Sequence, residues 1–138
     1  MPRRITKAQR LHLDRLCMGS FNRLDGEKVA DCLKTNKLLW DSLVFWRSGR
    51  YGVGELIELR DLPDGRINAD ELMIVTDKDR WPKLSELIDG WDSAEVGYNT
   101  GDDQTWGTPP YHNGTEVGDA MGCHPVPNTL VLVRVWWD

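Results

Sequence analysis

The run from Thr129 to Trp137 (Thr-Leu-Val-Leu-Val-Arg-Val-Trp-Trp) is the strongest strand signal in the chain. β-Branched and aromatic side chains dominate it, and apolar residues fall on both alternating faces. Such a strand belongs in the middle of a sheet, covered on both sides, because either face left bare would present a row of apolar side chains to water. The remainder of the chain must therefore supply neighbouring strands and covering layers.

Residues 6–18 predict a first helix. Ala8, Leu11, His12, Leu16 and Cys17 approximate a 3.6-residue stripe with Leu13 beside it, Thr6 is placed to cap the start and Gly19 to stop it. Residues 27–47 also read as helical, with Asp25 as the cap and Val29, Cys32, Leu33, Leu39, Trp40, Leu43 and Trp46 near one face. One long helix and two helices broken at Thr35-Asn36 both fit. After Gly52-Val53-Gly54 the pattern changes: residues 55–62 and 66–76 flank the turn signal Pro63-Asp64-Gly65 and read as a β-hairpin, the expected partner of the C-terminal strand. A short helix follows with Pro82 in its first turn and Leu84, Leu87 and Ile88 inward, then a short strand over Ala94 to Tyr98. Residues 99–128 hold five Gly and four Pro and show little periodicity. Unstructured stretches of that length are uncommon in compact domains and tend to be functional.

The expected fold class is therefore α+β: N-terminal helices packed on a small, mostly antiparallel β-sheet, with a long irregular segment before the C-terminal strand, all in a single domain of 138 residues. A hydrophobic content of 40% with 28% charged residues is that of a globular chain able to bury a core. Seven Trp require burial or contact surfaces of their own. Cys17, Cys32 and Cys123 form no CxxC and no zinc spacing, so they read as reduced thiols of a cytoplasmic protein. The segment after Met1 is charged without a following apolar region, and no apolar run approaches the ~20 residues of a membrane helix. Asn113-Gly114-Thr115 matches a glycosylation sequon by composition alone.

Charge is divided along the chain. Residues 1–50 carry 11 Lys/Arg against 5 Asp/Glu, a net of +6, and residues 51–138 carry 6 against 17, a net of −11. Either the two parts neutralise each other in the fold, or the asymmetry serves an electrostatic partner.

Four groups of residues carry candidate chemistry. Asp64 to Leu72 resembles the second half of a calcium-binding EF-hand loop, but Arg60 and Leu62 stand where the first two oxygen ligands would be, and a hairpin turn accounts for the same residues. Asp77 and Asp79 follow an apolar run, the position at which many enzymes hold Mg²⁺ or Mn²⁺; with His112 or His124 they make the metal-dependent hydrolase or transferase alternative. His112, Asp119, Cys123 and His124 are ligand or nucleophile types without a diagnostic spacing. Arg3, Arg4, Lys7 and Arg10 raise nucleic-acid binding through the first helix, although the segment Lys37–Arg47 is too apolar to serve as a recognition helix.

None of these patterns fixes a reaction, and no cofactor is implied. The residues favour a small non-enzymatic protein that binds a macromolecular partner. Trp106 and Tyr111 would be the anchors, rimmed by Asp102, Asp103, Glu116 and Asp119 to attract a basic protein surface. An inhibitor or accessory factor of a nucleic-acid enzyme is one form of this expectation, since a small acidic surface mimics phosphate.

Overall fold

A computed structural model of the chain describes residues 4–20, 23–46, 66–100 and 127–137. Helix α1 (Lys7–Cys17) starts where the Thr6 hydroxyl accepts the Gln9 amide at 3.1 Å. Helix α2 (Gly26–Thr35) starts at Asp25, whose carboxylate accepts the Lys28 amide at 3.2 Å. Each cap satisfies an amide that has no partner within its own first turn. At the far end of α2, both the main-chain and side-chain nitrogens of Asn36 donate to the Cys32 carbonyl. A 3₁₀ turn (Lys37–Leu39) follows, and then strand β1 (Ser42–Trp46).

Strand β1 corrects the later part of the helical expectation for residues 27–47. The spacing of Leu39, Trp40, Leu43 and Trp46 suits a helix, but the run Leu-Val-Phe-Trp over 43–46 is β-branched and aromatic and alternates buried with exposed. Helix α2 has already ended at Thr35. Strand β2 (Glu71–Asp77), helix α3 (Trp81–Ile88) with a 3₁₀ turn over Asp89–Trp91, strand β3 (Glu95–Thr100) and strand β4 (Leu130–Trp136) complete the described elements. The expected strand over 55–62, its Pro63-Asp64-Gly65 turn and most of the irregular stretch 99–128 lie outside the described residues.

The architecture is α+β. Four strands form one antiparallel sheet in the order β1-β2-β4-β3, so the C-terminal strand is central, as its composition requires. Its residues Leu130 to Val135 are buried on both faces. Directly paired residues share a face, which sets two kinds of row across the sheet. On one face run Phe45–Leu72–Val135–Val96 and Leu43–Ile74–Val133–Tyr98. Helices α1, α2 and α3 cover these rows through Leu13, Leu16, Val29, Leu33, Leu84 and Ile88, but the cover thins toward β3, where Val96 and Tyr98 stay exposed. On the other face lies a second buried cluster of Met73, Leu130 and Leu132.

Three Trp anchor the core. Trp40 and Trp137 are fully buried and each has its indole N–H satisfied, on the Leu33 and Trp91 carbonyls at 2.8 and 3.0 Å; Trp91, the last residue of the 3₁₀ turn, is buried in the same cluster. Gly26 marks the closest approach of α1 and α2. Its amide donates to the Gly19 carbonyl at 3.0 Å, and a methyl group at Gly26 would overlap the carbonyl oxygens of Leu16 and Gly19.

Candidate functional site

Three polar or aromatic groupings stand out among the described residues. The first surrounds Arg80 at the end of β2. The Asp77 carboxylate accepts the amides of Asp79 and Arg80 (3.1 and 3.0 Å) and the Arg80 Nε (2.8 Å). Arg80 also reaches the Asp41 carboxylate at 2.6 Å and the Leu38 carbonyl at 3.3 Å. Burial pushes the Asp77 carboxyl upward, but hydrogen bonds from the Arg80 amide and guanidinium, with the charge of Arg80, outweigh it and hold the group below its ordinary 3.8. Both Asp77 oxygens are thus engaged in joining β2 to α3. Asp79 is exposed in the turn. Among the described residues no group of three or more His, Cys, Asp or Glu is placed to hold a metal ion.

The second grouping lies on the sheet face away from the helices. Arg134, on the central strand, is flanked by Glu71 of β2 at 3.3 Å and Glu95 of β3 at 3.4 Å, and it lies 5.7 Å from the ring centre of Trp136. Glycine at position 97, directly opposite Arg134, leaves side-chain space on that row. The Trp136 indole donates to Asp70 at 3.1 Å. Arg134 and Glu71 are both buried, so this is an internal ion pair.

The third grouping sits at the outer edge of the sheet. Trp81, the first residue of α3 with Pro82 after it, lies against Tyr98 of β3, ring centres 5.0 Å apart and tilted by 44°. Two residues along the strand and on the same face, Val96 is 41% exposed; Tyr98 is 50% exposed. From Leu84 to Thr100 the chain carries four carboxylates, Glu86, Asp89, Asp92 and Glu95, and no Lys or Arg. Asp92 faces Arg23 at 3.7 Å across the solvent-exposed corner that leads into β3, and Glu95 faces Arg134. Glu86 and Asp89 are exposed without a basic partner among the described residues. A depression of about 290 Å³, lined by Arg23, Asp92, Ser93 and Ala94, adjoins this edge.

The residues singled out in the sequence divide between described and undescribed parts of the chain. Arg4, Lys7 and Arg10 are exposed on and just before α1. Arg3, Asp102, Asp103, Trp106, Tyr111, His112, Glu116, Asp119, Cys123 and His124 lie outside the described residues. Glu71, the residue matching the last ligand of a calcium loop, is taken by Arg134. Of the described Cys, Cys17 is half-buried, and burial followed by the nearby Asp14, Asp31 and Glu27 raises its thiol above the ordinary 9.0 against the opposing charge of Lys34.

The Trp81/Tyr98/Val96 edge was not among the sequence candidates. Its signal is faint: two apolar residues two apart in a short strand, and a Trp at a helix start. No described helix is long and apolar enough to cross a membrane. Compared with known proteins, the chain matches no family model, no curated protein and no solved structure.

Proposed function

We propose that this protein is a non-enzymatic binding protein whose partner is a basic protein surface. The observation that carries this reading is the Trp81–Tyr98–Val96 edge, with Tyr98 and Val96 exposed, in a stretch from Trp81 to Thr100 that holds four carboxylates against one Lys. Aromatic side chains supply contact area at low entropic cost, and surrounding carboxylates steer a positive partner and disfavour others. The segment that joins β3 to β4 carries Trp106 and Tyr111 with Asp102, Asp103, Glu116 and Asp119, which are of the same chemical kind. Grooves that hold nucleic acid are a common class of basic protein surface, so an inhibitor or accessory factor of a nucleic-acid enzyme remains the particular form this reading takes.

The test is capture from the native host with the wild type, a Trp81→Ala/Tyr98→Ala variant and a Trp106→Ala/Tyr111→Ala variant. The same partner should be recovered by the wild type and lost, in whole or large part, by at least one variant. Equal recovery by all three sinks the reading. Calorimetric titration with Mn²⁺ addresses the metal-dependent alternative in the same preparations: heat that disappears in Asp77→Ala/Asp79→Ala would favour that alternative instead.

A further inference from the structure

The outer edge of β1 presents the N–H and C=O groups of Leu43 and Phe45, and side chains of α1 take all four. Gln9 uses both ends of its amide on Leu43, donating from Nε2 to the carbonyl at 2.7 Å and accepting the N–H on Oε1 at 3.0 Å. His12 Nδ1 accepts the Phe45 N–H at 3.2 Å, and Arg15 Nε donates to the Phe45 carbonyl at 3.2 Å. Three side chains spaced three residues apart on one helix thus stand in for a further strand. Covering an outer strand with a helix is a known way of closing the edge of a sheet.

The His12 bond fixes a protonation state. A main-chain amide can only donate, so Nδ1 must offer its lone pair and the ring proton must sit on Nε2. A second proton would go to Nδ1 and set N–H against N–H. A partner on Nε2 would not relieve that clash. The second proton would also place a positive charge beside the Arg15 guanidinium, which is held on the same residue. Helix α1 packs on β1 and α2. Strand β1 has no ionisable side chain from Ser42 to Trp46. The α2 groups Glu27, Asp31 and Lys34 act, with Asp14, on Cys17 at the end of α1, and Lys28 reaches the Gly90 carbonyl. Lys7, Arg10 and Asp14 of α1 itself are exposed. Arg15 is thus the described charge that shares the His12 contact with Phe45, whereas Gln9 holds Leu43 by an amide that does not titrate.

We propose that His12 is a proton-sensitive latch on the outer edge of β1: in mild acid its imidazole takes a second proton, gives up the Phe45 N–H and releases that part of the strand from α1, while Gln9 keeps Leu43. This goes beyond the binding-protein reading and does not depend on it. A released ring takes its second proton near the ordinary value of about 6.5, and a ring holding Phe45 cannot take it on Nδ1. The contact is therefore complete above that value and is lost as pH falls below it. Opening should be about thirtyfold more frequent at about pH 5 than at about pH 8.

The test follows the nitrogen shifts of the His12 ring and hydrogen exchange at Phe45 and Leu43 in the full chain, corrected for the intrinsic pH dependence of exchange. The comparison is His12→Asn, whose Oδ1 stands where Nδ1 stood and accepts without titrating. In the wild type, Nε2 should carry the ring proton at about pH 8, and Phe45 should lose about thirtyfold of its protection by about pH 5 while Leu43 keeps its own. In His12→Asn, Phe45 should keep its protection over the whole range. A proton on Nδ1 of the wild type at about pH 8 overturns the proposal. That measurement needs no variant, so it decides the matter even where His12→Asn fails to fold. Unchanged protection of Phe45 in the wild type also overturns it, as does the same loss in His12→Asn. Equal loss at Leu43 and Phe45 makes the event general acid unfolding, and overturns it too.

Discussion

Arg134 shows how much a single side chain on the central strand decides. It is buried, and the charge of Glu71, also buried, is compensated by it at 3.3 Å. A buried pair is weak evidence of net stabilisation, but removing one partner strands the other's charge, which costs about 3–5 kcal/mol. Arg134→Ala should lower the urea-unfolding free energy by roughly that amount. The Arg134→Leu/Glu71→Leu double variant should recover most of the loss, because a well-packed apolar pair replaces the ions; no recovery would mean that Glu71 is not the group left uncompensated. Asp77 makes a different statement, one that depends on pH. Its folded-state value lies below the ordinary 3.8, so its contribution is fully present above the unfolded value and is lost as pH falls through the folded one. Wild type should therefore exceed Asp77→Asn in stability at neutral pH, and the gap should close from about pH 5 downward. A gap unchanged between neutral pH and strong acid would show that the hydrogen bonds to Arg80 and Asp79 do not depend on ionisation.

At the scale of elements, α1 is both a core helix and the cover of β1. Leu13 and Leu16 are fully buried, while Gln9, His12 and Arg15 hold the strand edge. Gln9→Leu/His12→Leu keeps the helix and its apolar packing but leaves main-chain groups of Leu43 and Phe45 unpaired, at about 1–3 kcal/mol for each buried group. The variant should also self-associate with rising concentration in sedimentation, whereas Lys7→Ala, at an exposed position, should not. The same helix explains what the sequence revealed and what it hid. Its limits and Thr6 cap were legible because capping is local chemistry. Its inward face was only partly legible: His12, on the expected stripe, does face the strand, but Ala8 and Leu11 are exposed, Leu11 by 65%, and Gln9, off the stripe, faces inward. A hydrophobic stripe cannot report polar side chains that replace a neighbouring strand. Strand β1 was hidden for a related reason, since apolar residues on both its faces erase the two-residue period. Strand β4 was legible through that same two-faced character, because its length and β-branched residues exclude a helix. The β3 edge was nearly silent, since what distinguishes Val96 and Tyr98 is the thinning of a helical layer built from distant residues.

For the whole molecule, the order β1-β2-β4-β3 makes the last strand of the chain the one that joins the sheet together. Val131, Val133, Val135 and Trp137 share a buried cluster with Leu13, Val29, Phe45 and Leu84, so elements from both the basic and the acidic parts of the sequence contribute to one core. Pairings such as Leu72 with Val135 span much of the chain. Such contacts repay their loop-closure entropy only late, which predicts folding on the millisecond-to-second scale rather than the microsecond scale of helical bundles. It also predicts that the basic N-terminal part has no independent fold. A chain ending at Thr129 would lose both ladders of β4 and the covering of Leu72 and Ile74, leaving β3 without a pairing partner among the described strands. Its far-UV spectrum should lose the sheet signal, and its thermal transition should disappear instead of shrinking to a smaller one. A surviving cooperative transition with helical character would show that residues 1–46 fold as a separate unit. The electrostatic asymmetry of the sequence would then divide two bodies, rather than two contributions to the same core.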